Sequence, residues 1–176
     1  MFTDLRIFRL NADRTRGAEI AISAGGDYGI TQSLDPIGGD VDMRYDVNGE
    51  LIIVENPLFR KYEISISARN MAAPALGGLW RGTLIQVWSI QQLTHTTRAD
   101  GTVYLDRSPV PGSIDARTAS GASITAALEL DGRTVTAPGS AVVHYRPILN
   151  GALAEAPGNF DEDGGQSSWS LTLKEL

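Results

Sequence analysis

The two histidines, His95 in "QLTHTT" and His144 in "VVHYRP", are the side chains best suited to proton transfer or metal ligation near neutral pH. Each stands without a second ligand nearby in sequence, and no histidine pair occurs at helical spacing, so a structural or surface role is the plainer reading. The chain has no cysteine, which removes thiolate catalysis, Cys-type zinc sites, iron–sulfur chemistry and disulfides. Asp161-Glu162-Asp163, ahead of Gly164-Gly165, offers oxygen ligands for calcium. It lacks the alternating Asp spacing and the closing Glu of a helical calcium loop, and reads as a solvated loop. Gly-x-Ser-x-Gly is absent, and "GGDYGI" has neither the glycine spacing nor the helix of a phosphate loop. The 21 acidic residues will bring some carboxylates together in any β fold, which becomes glycosidase chemistry only at a specific separation. No set of nucleophile, base and stabiliser emerges, and no cofactor motif. The chain reads as a non-enzyme with no cofactor and no metal.

A net charge of −6, with only two lysines among 15 basic residues, argues against phosphate-driven nucleic-acid binding. The densest basic segment carries Arg6, Arg9, Arg14 and Arg16 but is broken by Asp13 and preceded by Asp4, as a solvated or interface face would be. No apolar run approaches the roughly 18 residues of a membrane span, and the N-terminal segment lacks a secretory apolar core; a soluble chain is expected. Among the aromatics, Trp169 and Trp88 fall on apolar strand phases that predict core packing, whereas Trp80 ends a loop.

The elements that must position these residues have a period of two. In "YEISISARN", Tyr62, Ile64, Ile66 and Ala68 share one face while Glu63, Ser65, Ser67 and Arg69 share the other. "VDMRYDVNGELIIVE" predicts a hairpin with Asn48-Gly49 as a two-residue turn, which sets Met43 against Val54, Tyr45 against Ile52 and Val47 against Glu50. "LELDGRTVT" predicts a second hairpin at Asp131-Gly132, and "GASITAALEL" reads as a strand. "SSWSLTLKEL" alternates cleanly enough to lie inside a sheet, whereas 150–167 reads as a long surface loop and Pro36–Gly39 as a turn. No internal repeat stands out. These patterns predict an all-β fold, an antiparallel β-sandwich or barrel with long loops, as one domain over 1–176 with an elaboration at about 94–133.

One connector is unusual. "ARNMAAPALGGLWRG" joins two alternating strands with a segment that is apolar and poor in charge. Its residues Met71, Pro74, Leu76, Leu79 and Trp80, with Arg81 and Arg60 as rim charges, form a candidate subunit interface: Pro74 limits the unfolded ensemble, Gly77-Gly78 turn the chain, and Trp80 anchors it. The rival reading is a lid over the domain's own core.

The blocks "ENPLFRKYEISISARNMAAPALGGLWRGTLIQVWSI" at 55–90, "YRPIL" and "FDEDGGQSSWSLTLKEL" together resemble small virion structural proteins of tailed bacteriophages, over about half of the chain. The stretch Thr94–Arg133 is additional to the compact form of that pattern. The resemblance implies a tail or tail-tip component forming a ring or collar, contacting copies of itself and other virion proteins, and located in the virion after assembly in the host cytoplasm. Alternatives are a capsid cement or decoration protein, or a carbohydrate-binding module for a host-surface glycan, with Trp80 or Tyr104 as stacking platforms.

Overall fold

The computed structural model describes residues 4–22, 29–37, 42–54, 60–70, 75–156, 158–161 and 166–176, and these form strands and turns without a helix. Seven strands come first: β1 (Arg6–Leu10), β2 (Arg16–Glu19), β3 (Thr31–Ile37), β4 (Asp42–Tyr45), β5 (Leu51–Val54), β6 (Lys61–Asn70) and β7 (Leu84–Trp88). A run of short strands follows: β8 (Leu93–Thr96), β9 (Thr102–Tyr104), β10 (Asp115–Arg117), β11 (Ser123–Ile124), β12 (Ala127–Leu128), β13 (Thr134–Thr136) and β14 (Val142–Tyr145). Three more complete the order: β15 (Ile148–Glu155), β16 (Gly158–Asp161) and β17 (Gln166–Glu175).

The large sheet runs β2-β1-β7-β15-β17-β6-β3, antiparallel at every step, with β16 also on β17. Its apolar face carries Ile7, Ile64, Ile66, Ile85, Val87, Leu149, Leu171 and Leu173, each fully buried, and Trp169 at 3% exposure. The alternation of "YEISISARN" is kept, with Ile64, Ile66 and Ala68 buried in one cluster. The sheet does not close into a barrel. It wraps its apolar face, since the Ile90 N–H reaches Gln32 Oε1 on the far edge at 2.9 Å and the Ala75 N–H reaches Ala21 O at 3.2 Å.

Between β7 and β15 the strands Leu93–Tyr145 form a four-stranded sheet, β11-β10-β14-β8, and a three-stranded sheet, β12-β13-β9. They enclose their own cluster of Val103, Leu105, Ala116, Val135, Val143 and Tyr145. "GASITAALEL" is therefore two short strands in different sheets rather than one.

Two expected loops lie partly in strands; Gly38 and Gly39 of the second are outside the described residues. Residues 150–167 lie largely in β15 and β16, which pair with β17 as one hairpin arm interrupted by a register shift between Leu153 and Glu155. Pro36 lies inside β3, opposite Tyr62; β3 is an edge strand, where a residue without an N–H costs no ladder bond.

The hairpin β4–β5 is offset by one residue from the expected register: Tyr45 pairs with Leu51 and Arg44 with Ile52. The cause is Asp46, whose Oδ1 accepts the N–H groups of both Asn48 and Glu50 at 2.8 Å. The backbone closes from Asp46 N to Glu50 O and from Gly49 N to Asp46 O, leaving a three-residue loop in which Gly49 alone is left-handed, at φ 81°. The same pair of backbone bonds closes Asn11–Thr15, Arg98–Thr102 and Thr118–Ala122. Their fourth positions are Arg14, Gly101 and Gly121, at φ 63°, 82° and 85°. The hairpin at Asp131-Gly132 has a longer loop, with Glu129 N on Thr134 O.

Candidate functional site

The described part of the apolar connector is half-buried at Leu76 and Leu79 and exposed at Trp80. Met71 and Pro74 lie outside the described residues. Leu76 and Leu79 are half-buried and pack on the cluster of the large sheet. They sit in a turn closed by Leu79 N on Leu76 O at 3.1 Å, with Gly78 at φ 81°, and Gly78 O accepts Arg9 Nη2 at 3.2 Å. Trp80 leaves this lid and is 78% exposed. Its backbone is held rigidly: Trp80 N donates to Thr83 Oγ1, Trp80 O accepts Thr83 N, and Gly82 N donates to Leu153 O. Arg81 beside it is exposed.

Arg60 is exposed too, but it precedes β6. Three antiparallel steps separate β6 from β7, so the start of β6 lies at the sheet end where β7 finishes, opposite Trp80 and Arg81. Among the described candidates, Arg60 therefore does not share a patch with Trp80 and Arg81.

The largest exposed apolar side chains of the first half include the β4–β5 hairpin: Tyr45 at 74%, Val47 at 100%, Leu51 at 47% and Ile52 at 48%. Pattern reading had no means of finding this surface, because an alternating hairpin normally predicts one buried face.

The basic N-terminal segment is used piecemeal. Arg6 and Arg16 each lie 5.6 Å from the Trp88 ring centre, which explains why Trp88 is half-buried rather than in the core, and Phe8 packs on it at 5.3 Å. Arg14, alone of the four, reaches a groove.

That half-open groove, of about 1260 Å³, lies where the end of the large sheet meets the Tyr104–Ser108 segment of the inserted strands. Its floor includes Gln86 and Asn150, joined by Gln86 Nε2 donating to Asn150 Oδ1 at 2.9 Å. One wall is a fixed network. The Glu175 carboxylate accepts Arg107 Nε, Arg107 Nη2 at 2.9 Å and the Tyr62 N–H at 2.9 Å. Arg107 also donates to Arg60 O at 2.9 Å and lies 5.5 Å from the Tyr62 ring centre. The hydrogen bond to Glu175 raises the Arg107 guanidinium above its ordinary range, against the opposing effect of burial. The other wall presents Tyr104, 58% exposed, with Arg133 and Asp106. Five basic side chains line the groove against two acidic ones, on a chain of net charge −6.

The histidines come closer than their sequence separation suggests, on adjacent strands but on opposite faces, because His95 pairs with Val143 and His144 with Thr94. His95 stacks on Tyr145 at 5.7 Å with Nε2 3.5 Å from Asp106 Oδ2, and His144 Nδ1 is 2.9 Å from Thr94 Oγ1. Burial pushes the Tyr145 phenol up to about 12. Among the described residues no group of three or more His, Asp or Glu is placed to hold a metal ion. The acidic run Asp161–Asp163 falls where side chains lie outside the described residues.

No family model matches the chain, and no characterised protein or solved structure does so either.

Proposed function

We propose that the chain is a non-enzymatic structural subunit of a bacteriophage virion, of the tail or tail-tip kind, contributing to a ring or collar by docking on copies of itself and on other virion proteins. The observation that carries this reading is the exposed apolar hairpin β4–β5, with Val47 fully in solvent and Tyr45 nearly so. Exposed apolar side chains on both faces of a hairpin, Tyr45 and Leu51 on one and Ile52 on the other, are costly to leave in water and support a contact surface. Trp80, held on a rigid turn with Arg81 beside it, offers a second anchor of the type that dominates interface energetics. The edge strands β2 and β3 provide backbone groups for pairing across subunits. The two-block resemblance supplies the virion context.

The experiment is quantitative proteomics and antibody labelling of purified particles, with heads and tails separated. Presence in tails at a fixed copy number is expected. Presence in heads would turn the reading to a capsid decoration protein, and absence from both would end it. Val47→Asp and Trp80→Asp should each reduce incorporation; a chain that assembles normally with both changes would remove these contacts from the reading.

A further inference from the structure

We infer that the groove between the end of the large sheet and the Tyr104–Ser108 segment binds an acidic oligosaccharide, with Arg14 and Arg133 pairing with its carboxylates and Tyr104 packing against a sugar ring. This holds whether or not the chain is a virion subunit.

The first support is Arg14 itself. Among the described residues, four loops close with the same two backbone bonds, and three of them place glycine at the left-handed position, whereas the fourth places Arg14 there at φ 63°. A long side chain at that angle is disfavoured, and strain of this kind concentrates where a side chain must be aimed. Arg14 lines the groove. The second support is charge: among the described residues neither Arg14 nor Arg133 makes an ion pair at contact distance, Arg133 acting on Asp131 only through space, while the Arg107 charge is already met by Glu175. Two guanidinium groups without ion-pair partners therefore face one space on an acidic protein.

The rest of the lining selects the kind of anion. Gln86 and Asn150 carry amide donors and acceptors, and Asp106, 58% exposed, adds acceptors beside the arginines. Hydroxyl groups need both kinds of partner, which sugars provide and a phosphodiester backbone does not. Tyr104 supplies the flat apolar face that a sugar ring covers. The volume of about 1260 Å³ exceeds the roughly 300–1,000 Å³ usual for a small ligand and suits several linked rings. The Glu175–Arg107–Tyr62 wall is hydrogen-bonded in advance, so little ordering is required on binding.

The test is calorimetric titration of the purified chain at low salt with oligogalacturonate and with a sialic acid oligomer. Methyl-esterified oligogalacturonate, a single-stranded oligodeoxynucleotide and polyglutamate serve as comparators. Binding of at least one carboxylated sugar is expected, with loss on esterification. Arg14→Gly should weaken it about tenfold or more while the chain melts no lower than the parent. Arg133→Ala and Tyr104→Ala should weaken it comparably, and Trp80→Ala should leave it unchanged. Failure of both sugars to bind, equal binding of the methyl ester, stronger binding of the oligonucleotide or polyglutamate, or full affinity in Arg14→Gly would each overturn the inference.

Discussion

Arg14 occupies in the β1–β2 hairpin the position that Gly101 occupies in the turn after β8, with the same left-handed backbone, φ 63° against 82°. The local sequences are close, "NADRT" and "RADGT", and in each the Asp accepts both the N–H and the hydroxyl of the Thr two residues on. The glycine position costs a side chain about 1–2 kcal/mol in this conformation, partly offset by the extra freedom of glycine when unfolded. Arg14→Gly should therefore stabilise the chain by about 1 kcal/mol, raising Tm by roughly 2–4 °C. A lower melting point in differential scanning calorimetry would show that Arg14 makes a compensating contact.

Gly101 has a second constraint. A Cβ there would stand 2.1 Å from Ala137 O, whereas one at Gly121, with a similar φ, would meet nothing within 4 Å. Gly121→Ala should cost about 1 kcal/mol from backbone strain alone, and Gly101→Ala at least about 3 kcal/mol. Urea unfolding midpoints that failed to separate the two variants would contradict the close approach.

The turn carboxylates also set an acid limit. Asp13, Asp100 and Asp131 lie below the ordinary carboxylate range chiefly because the hydroxyls of Thr15, Thr102 and Thr134 bond to them, and Asp46 because the Glu50 N–H does. Groups whose folded pKa is depressed contribute stability that is present above the unfolded value, 3.8, and lost as pH falls through the lower folded value. Stability should drop as pH falls from about 3.8 toward the lower folded values, and Thr102→Val should make that drop shallower. Carbon-detected NMR titration of the four carboxyls checks the assignment directly; midpoints at or above the free value would refute it.

How much of this was legible follows from which forces act locally. The faces of "YEISISARN" and "SSWSLTLKEL" could be read because period two is a property of the strand itself, and burial then follows. The β4–β5 register could not, since Asn48-Gly49 suits a two-residue turn and only the Asp46 carboxylate, bonding to Asn48 and Glu50, tips it to three. The repeated Ala-Asp-x-Thr turn was present in the letters, at 12–15 and 99–102, and is the signal that could have marked Arg14 as out of place. The groove had no such signal, because Arg14, Tyr104 and Arg133 meet only through the pairing of strands far apart in sequence. Arg60 failed as a partner of Trp80 for the same reason, because nearness in the chain says nothing about which end of a sheet a residue reaches.

The connector that raised the question of whose core it fills can be divided by mutation. Leu79 packs on the large cluster and Trp80 does not. Leu79→Ala should cost about 1–2 kcal/mol, below the range for fully buried leucine because the site is partly open. Trp80→Ala should stay within about 0.5 kcal/mol. Equal losses in chemical denaturation would mean that Trp80 belongs to the chain's own core after all.

Arg107 and Glu175 join the inserted strands to β17 and should behave as one unit. The Glu175 side chain is 7% exposed and that of Arg107 19%, and Glu175 also accepts the Tyr62 N–H. Glu175→Gln keeps the shape but removes the charge, leaving a guanidinium poorly solvated at the junction, at a cost of about 2–3 kcal/mol. Replacing both partners by methionine removes the stranded charge as well as the attraction, so the double variant should be more stable than Glu175→Met alone. The coupling read from that cycle should exceed the roughly 0.2–1 kcal/mol of an exposed pair. A coupling within that smaller range would mean that the pair is solvated in solution and that other contacts hold the inserted strands against the sheet.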